Sequence, residues 1–308
     1  MKKILLVLLA VFLLITSGCK QQTVTSVENP SFAYVVTDDK GRQVKISGKP
    51  MRIVSATYGT DEILAEVVDP GRIKAFSKWA GDSEITFITQ EQADQVGNKV
   101  GENTEAIVAL KPDLVFVSVA TSDSLVKNLE DMGIPVYVAG SPKTVAAMRK
   151  KVLGVAAAAG ESARGEALVA AMDKKLLELE SKLQAIPKDK EKIVMAFSFI
   201  GAIGRKDNLL DDIFQYDQGS NSLSKERIIA IDPDVFLLPT WNFDSNNDVQ
   251  KYAEQVAADP AFKNIKAIKN KRLEFVSDRY RYVASQHVTD SIESVAKAVY
   301  PELFVKGE

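Results

Sequence analysis

Cysteine and histidine are scarce in this chain of 308 residues, which holds one of each, Cys19 and His287. A single cysteine can form neither an internal disulfide nor a site built from several thiolates. A single histidine argues against a site for bare zinc or manganese, where several imidazoles are expected. His287 is predicted to lie at the start of a terminal helix, as a capping or surface residue rather than a ligand contact.

Motifs of catalysis and nucleotide binding are also missing. The chain has no Gly-x-Ser-x-Gly elbow and no Gly-x-x-x-x-Gly-Lys-Ser/Thr loop. The segment Gly201-Ala-Ile-Gly204 is too short for a dinucleotide fingerprint and is predicted to form a tight turn beside a cleft. The net charge is only −2 and no basic block occurs, so nucleic acid is not expected as a partner. The sequence therefore predicts a protein without catalytic activity or cofactor.

The first eighteen residues are typical of an export signal. Lys2 and Lys3 precede the apolar run Ile4–Ile15, which is about 18 Å long as a helix and too short for a hydrocarbon core of roughly 30 Å. A signal peptide over residues 1–18 is therefore favoured over a membrane-spanning helix. The following Ser17-Gly18-Cys19 resembles a bacterial lipobox, which implies a lipid on Cys19; the alternative is an ordinary secretory signal followed by a free thiol. Residues 19–31 are predicted to be a polar tether.

One ten-residue pattern occurs twice, 121 residues apart. Thr104–Asp113 reads T-E-A-I-V-A-L-K-P-D, and Lys225–Asp234 reads K-E-R-I-I-A-I-D-P-D. A short helix with an acid in its first turn, ended by proline and followed by a buried strand, is typical of a parallel α/β sheet. The wide spacing favours two similar lobes over a solenoid, and two lobes create a cleft that can hold a ligand.

The order of elements predicts an α/β fold of two Rossmann-like lobes with parallel sheets, joined by a single long helix. The N-terminal lobe is predicted over residues 32–141, a helical linker over 142–187 and the C-terminal lobe over 188–308. Within the linker, apolar residues at spacings of three and four predict one helix from Ser162, as its N-cap, to Ile186. A short coiled coil is the alternative. A loop is predicted from Asp278 to Ser285.

Three segments resemble a known family, namely Val100–Val115, Leu223–Asp234 and Ala298–Phe304. The family comprises the substrate-binding proteins of bacterial ABC importers for iron–siderophore complexes, haem and cobalamin. The resemblance implies a monomer, lipid-anchored at the extracytoplasmic face of the cell membrane. Such a protein holds a small ligand between its lobes and delivers it to a permease that works with an ATPase subunit. A chelatase of related architecture and a structural surface lipoprotein are the alternatives.

Glu105 and Glu226 occupy the same place in the two repeats, early in a helix. In the family that the chain resembles, one glutamate per lobe pairs with permease arginines, so the resemblance implies that these two residues dock on the permease. The alternative explanation is that an acid in the first turn simply suits the helix dipole.

Ligand contacts are expected in the loops that leave the carboxyl ends of the strands. Cations and aromatic residues recur together in these loops and suit an anionic iron chelate with flat rings. A ferric siderophore is the first prediction, cobalamin the second and haem the third, with Tyr58 as the iron ligand. Some of these side chains could instead be solvated charges or packing aromatics. The predicted contacts are Tyr58, Lys78, Trp79, Arg205, Trp241, Phe243, Arg279, Tyr280 and Arg281.

Overall fold

The computed structural model describes residues 34–198, 201–203, 223–240 and 248–304. Residues Phe32–Glu308 belong to one compact unit. Within the described part of the chain, no helix combines the length and the apolar character that crossing a membrane requires. The predicted signal peptide, tether and lipidation site at Cys19 lie outside the described residues.

The N-lobe, as we name the first lobe, contains a hairpin and a five-stranded sheet with helices on both faces. Its elements are β1 (Tyr34–Thr37), β2 (Gln43–Ile46), β3 (Ile53–Ser55), α1 (Tyr58–Val67), β4 (Ile73–Ser77), α2 (Gln90–Val96), β5 (Lys99–Val100), α3 (Thr104–Ala109), β6 (Leu114–Ser118), α4 (Asp123–Asp131) and β7 (Val136–Ala139). The sheet has the order β5-β4-β3-β6-β7, and all its pairs are parallel. Strands β6 and β7 are buried almost throughout, as expected for a parallel sheet covered on both sides.

Two long helices follow the N-lobe, α5 (Val145–Ala158) and α6 (Ser162–Gln184). Helix α5 ends before Gly160, which has a φ of +72°, a backbone conformation that glycine adopts without a steric penalty. Helix α6 has 23 residues and is thus about 35 Å long, in agreement with the predicted long helix. Its N-cap position is Glu161 rather than the predicted Ser162, and Glu161 makes no side-chain capping bond because its carboxylate pairs with Arg72 and Lys49 instead.

The C-lobe, as we name the second lobe, is built around a four-stranded sheet. Its described elements are β8 (Val194–Ser198), β9 (Gly201–Ile203), α7 (Lys225–Ile231), β10 (Val235–Leu238), α8 (Val249–Ala258), α9 (Lys266–Lys269), β11 (Leu273–Phe275), α10 (Asp278–Arg281) and α11 (Val288–Val299). The strand order is β11-β10-β8-β9. The predicted α/β fold of two lobes is confirmed, and the boundaries proposed at residues 141 and 187 stay predictions.

Two local predictions in the C-lobe were wrong. Gly201–Ile203 forms a strand that pairs antiparallel with β8, not a tight turn, so this sheet is mixed at one edge. The predicted loop at Asp278 begins with the single-turn helix α10, because the Tyr282 amide donates back to the Asp278 carbonyl. Both elements are too short to show a periodic pattern in the sequence.

Helix α11 is packed in two hydrophobic clusters at once. Val288 and Ile292 belong to the cluster that also contains α1, α5 and α6. Val295 and Val299, one to two turns later, belong to the cluster beneath the C-lobe sheet. Lys175 of α6 adds ion pairs to Asp290 at 2.5 Å and to Glu293 at 2.7 Å. The C-terminal helix therefore fixes the C-lobe to the helices behind the N-lobe, beside the long bridging helix.

Candidate ligand-binding site

The carboxyl edges of the two sheets face each other across a strip of contacts. On the N-lobe side, the strip contains the start of α1, which follows β3, and the loop between β4 and α2. On the C-lobe side, it contains Thr240, which follows β10, and residues 277–287, which follow β11. Open α/β sheets bind ligands at this edge, so the strip marks the candidate site.

The start of α1 lies directly against the C-lobe. Tyr58 donates a hydrogen bond from its hydroxyl to the Tyr282 carbonyl at 2.9 Å. At Gly59, the next residue, a Cβ atom would lie 2.7 Å from the Ala284 carbonyl oxygen and 2.8 Å from the Ala284 Cβ. Glycine at this position therefore permits a close backbone approach between the lobes.

Glu62, one turn further along α1, binds two segments at once, residues 86–87 and residues 285–286. Its carboxylate accepts hydrogen bonds from the Thr86 hydroxyl at 2.8 Å, the Phe87 amide at 3.0 Å and the Ser285 hydroxyl at 2.5 Å. Its main-chain carbonyl accepts from the Gln286 side chain at 2.9 Å. A buried carboxylate satisfied in this way orders the groups around it. Glu62 therefore positions Phe87 and the segment before α11.

Phe87 is the centre of an aromatic cluster drawn from both lobes. The His287 ring stacks on it with a centroid distance of 4.0 Å and an interplanar angle of 10°. The Tyr280 ring meets it edge-on at 5.2 Å. The Arg279 guanidinium lies 4.9 Å from the centroids of both Phe87 and Tyr280. His287 is thus half-buried in the strip, and its Nδ1 lies 2.5 Å from an Asp290 carboxylate oxygen.

Arg279 retains an unused donor in this cluster. Its Nη2 donates to the Tyr280 hydroxyl at 3.2 Å. Its Nε is buried and has no hydrogen-bond partner among the described residues. A buried N–H without an acceptor is costly, so a ligand oxygen at this position would gain a charge-assisted hydrogen bond.

Arg281 makes internal contacts instead. Its side chain is 2% exposed, pairs with Asp278 at 2.9 Å and donates to the Phe197 carbonyl. Asp278 in turn accepts from the Thr240 amide at 3.0 Å. These bonds tie together the ends of β8, β10 and β11, so this arginine stabilises the C-lobe edge on which Arg279 stands.

Lys78 and Trp79 follow β4 at the N-lobe edge. The Lys78 ammonium lies 4.5 Å from the centroid of the Trp79 ring, within cation–π distance. Lys78 is exposed and Trp79 is half-buried. The pair offers a cation and a flat surface beside the strip, whereas the other predicted contacts, Arg205, Trp241 and Phe243, lie outside the described residues.

Two buried ionisable groups lie beneath the site. Burial raises the pKa of Asp61 to about 8, although its carboxylate accepts from the Ser77 amide at 3.0 and 3.2 Å. Burial lowers the pKa of Lys151 to about 8, while the charges of Asp39 and Glu62 act in the opposite direction. In the described part of the chain, no group of three or more histidine, cysteine, aspartate or glutamate residues could hold a metal ion.

The sequence patterns missed Glu62, Glu84 and Phe87, which the structure places within the strip. Glu62 lies inside a helix and the other two in the middle of a loop, so none directly follows a strand. One signal was present: Asp61 and Glu62 are adjacent acids directly before the apolar residues Ile63 and Leu64, and all four are buried in this helix. Acids at such positions must be paired or neutral, which marks a site of special interest.

The two repeats form matching helices, one in each lobe. Asn103 caps α3 and Ser224 caps α7, each by accepting an amide of the first turn. Glu105 and Glu226 follow these caps, and both are exposed. The pKa of Glu226 is lowered by its own backbone amide and the Ser224 hydroxyl. The predicted symmetry of the two acids is therefore present, while their docking role stays a prediction.

Comparison with known proteins identifies the family. A sequence model of the protein family described as "Periplasmic binding protein" matches residues 53–280, about three quarters of the chain. This chain belongs to the periplasmic binding protein family. The matched range contains both repeats and the strip up to Tyr280, and the resemblance seen in the sequence is confirmed.

Relatives and solved structures agree with this assignment. The chain is 27% identical to the probable siderophore-binding lipoprotein YfiY of Bacillus subtilis strain 168, over 88% of each chain. It is 23% identical to the Fe(3+)-citrate-binding protein YfmC of the same organism, over 95% of this chain and 94% of the relative. The crystal structure of Helicobacter pylori CeuE with Ni(II) bound shares the fold, with a TM-score of 0.69 and 21% identity over 89% of this chain and 91% of CeuE.

Proposed function

We propose that this periplasmic binding protein is the substrate-binding lipoprotein of an ABC importer that captures a ferric siderophore-type complex and delivers it to a membrane permease. The observation that carries the proposal is the position of Arg279. Its guanidinium stands between aromatic rings of both lobes and keeps a buried N–H without a partner among the described residues. An anionic chelate oxygen supplies the missing acceptor.

The chemistry of the surrounding residues supports a ligand that is both charged and flat. Phe87, Tyr280 and Trp79 offer ring faces, and Lys78 adds a second cation. The relative YfiY is named a probable siderophore-binding lipoprotein, and YfmC is named an Fe(3+)-citrate-binding protein. Both relatives match nearly the whole chain. A corrinoid would also use the rings, but its acceptors are mainly neutral amide oxygens, which bind a guanidinium less strongly than the ionised oxygens of an anionic chelate.

Haem is disfavoured by the state of Tyr58. Ligation of ferric iron requires the phenolate form of tyrosine. Burial and, to a smaller extent, the nearby charge of Glu62 raise the pKa of Tyr58 to about 12. Its hydroxyl is also committed to the Tyr282 carbonyl. Tyr58 thus acts in the proposal as a contact between the lobes at the margin of the ligand.

Native mass spectrometry of the protein as purified from its own host tests the ligand class. We expect a co-purified mass that contains iron and an organic chelator, and that disappears after unfolding and refolding without iron. A corrinoid or haem mass in its place would contradict the siderophore proposal while keeping the importer role. Absence of binding to every iron complex, corrinoid and haem offered would favour a structural lipoprotein.

The proposed attachment to the membrane depends on Cys19. Several acyl chains on one residue anchor a protein stably, whereas a single chain binds marginally. We expect Cys19→Ser to remain unprocessed or to be released from the cell. A variant that is still processed and still membrane-bound would refute lipidation at this residue.

A further inference from the structure

Glu84 belongs to the N-lobe, and its carboxylate is bound by hydroxyl groups of the C-lobe. It lies in the loop between β4 and α2, and its Oε2 accepts a hydrogen bond from the Thr240 hydroxyl at 3.1 Å. The Ser277 hydroxyl lies 3.5 Å from the same oxygen. Thr240 and Ser277 follow adjacent strands of the C-lobe sheet, β10 and β11. The contact therefore spans the edges where the proposed ligand binds.

The Thr240 hydroxyl is oriented toward this carboxylate. Its oxygen accepts from the Asp278 amide at 3.1 Å, while the Thr240 amide donates to the Asp278 carboxylate at 3.0 Å. A hydroxyl has one proton to donate, and with the Asp278 amide as its donor this proton points to Glu84. The C-lobe thus presents the Thr240 hydroxyl as a preorganised hydrogen-bond donor, and the Glu84 carboxylate accepts its hydrogen bond.

The Glu84 contact differs from the other contacts of the strip. Ser285 and Gln286, which bind Glu62, are buried, and Val283 and Val288 on either side of them belong to the large core cluster. Glu84 is only half-buried, and its partners are two hydroxyls rather than core side chains. A ligand can displace this contact without disturbing the hydrophobic core.

We propose that Glu84 sets the charge selectivity of the cleft. An acceptor oxygen of the ligand competes with the Glu84 carboxylate for the hydroxyls of Thr240 and Ser277, next to Arg279. The negative charge of Glu84 raises the free energy of anionic ligands there and lowers that of cationic ones. Arg279 attracts an anionic chelate, and Glu84 limits how much negative charge a bound chelate can carry. This inference rests on the proposed function.

The test compares wild type with Glu84→Gln, which keeps the shape and an acceptor for Thr240 but removes the charge. The full-length protein is titrated with anionic ferric citrate, neutral ferrichrome and cationic ferrioxamine B, and each complex that the wild type binds is scored. One charge in a partly solvated cleft changes affinity by about three- to tenfold. We expect tighter binding of ferric citrate by this factor, weaker binding of ferrioxamine B, and a change below about twofold for ferrichrome.

The control variant is Glu178→Gln, which makes the same change in net charge on an exposed position of α6. It should leave all three affinities unchanged. Raising the salt concentration should shrink the effect of Glu84→Gln, since screening weakens charge interactions. The role of Glu84 would be overturned if Glu84→Gln, with the melting temperature of wild type, changed the affinity for all ligands equally or changed none of them. That result would leave the proposed function intact. Failure of the wild type to bind any ferric complex would overturn both.

Discussion

Asp113 and Asp234 make the same backbone contact in different lobes. Asp113 precedes β6 and accepts from the Met51 and Arg52 amides at 2.7 and 2.9 Å, next to the start of β3. Asp234 precedes β10 and accepts from the Ile193 amide at 2.8 Å, next to the start of β8. The repeated aspartate therefore ties the amino end of one strand to its parallel neighbour in both sheets.

Loss of this contact should lower stability more than loss of a surface ion pair. Asp113→Ala removes two charge-assisted hydrogen bonds and should lower the free energy of unfolding by about 1–2 kcal/mol. Asp131→Ala, which removes an exposed pair with Lys127, should cost less than about 0.5 kcal/mol. Urea unfolding of both variants measures the difference. Equal midpoints for the two would contradict the structural role of the repeated aspartate.

The close approach at Gly59 makes a second prediction. Gly59→Ala places a methyl group against the backbone of Ala284, so the strip must open or distort. We expect the variant to unfold more easily by about 1–3 kcal/mol, a typical cost of overpacking. The matched control is Gly71→Ala, where no heavy atom lies within 4 Å of the new Cβ. Thermal melting decides, and an unaffected Gly59→Ala would show that the lobes do not meet there.

The raised pKa of the buried Asp61 should make the free energy of unfolding depend on pH. Burial raises its pKa from 3.8 to about 8, so between these values the folded protein holds a proton that the unfolded chain has lost. The free energy of unfolding contributed by this group therefore decreases as the pH rises from about 4 to about 8. The lowered pKa of Lys151 acts above pH 8, where it makes stability rise with pH.

Asp61→Asn tests this sign, because the amide oxygen still accepts from Ser77 but no longer titrates. Between pH 5 and pH 8, wild type should lose stability relative to the variant when both are unfolded with urea. Asp131→Asn on the surface serves as the control. Parallel curves for wild type and Asp61→Asn would mean that Asp61 is ionised in the folded protein.

The exposed glutamates of the two repeats predict a separation of uptake from binding. Glu105→Lys with Glu226→Lys should abolish transport and leave ligand affinity unchanged, because both residues lie on helices outside the strip. Glu91→Lys with Glu254→Lys makes the same charge change on exposed positions of α2 and α8. Uptake of labelled ferric complex by cells measures the effect. Normal uptake by the variant with Glu105→Lys and Glu226→Lys would show that the two acids do not dock on the permease and only stabilise the first turns of their helices.

Much of the fold could be predicted because its signals are local. The caps Asn103 and Ser224, the prolines after α3 and α7, and the apolar strands that follow them stand in order along the sequence. Lys111 and Asp232 were not recognised as special, although both precede these prolines with a left-handed φ of 50° and 48°. Neither residue is glycine, the usual signal of that conformation.

The site was predicted less completely because its contacts are distant in sequence. Arg279 was predicted to be a ligand contact from its place after a strand, and this role stays a prediction, but its ring partner Phe87 is 192 residues away and could not be predicted. The bond between Glu62 and Ser285 spans 223 residues. Arg281 looks the same as Arg279 in the sequence. Only packing separates the buried ion pair that Arg281 makes with Asp278 from the position of the Arg279 guanidinium over the Phe87 ring.

Titration of the iron-free, full-length protein with ferric siderophores, ferric citrate, cobalamin and haem, followed by tryptophan fluorescence, is the most direct test of the account. We predict saturable binding of a ferric complex with a dissociation constant below about 1 µM. Arg279→Ala should weaken it by about tenfold or more, the cost of a lost charge-assisted hydrogen bond, and Lys127→Ala on the exposed face of α4 should not. Binding of cobalamin or haem alone, or an Arg279→Ala variant with unchanged affinity for the ferric complex, would contradict it.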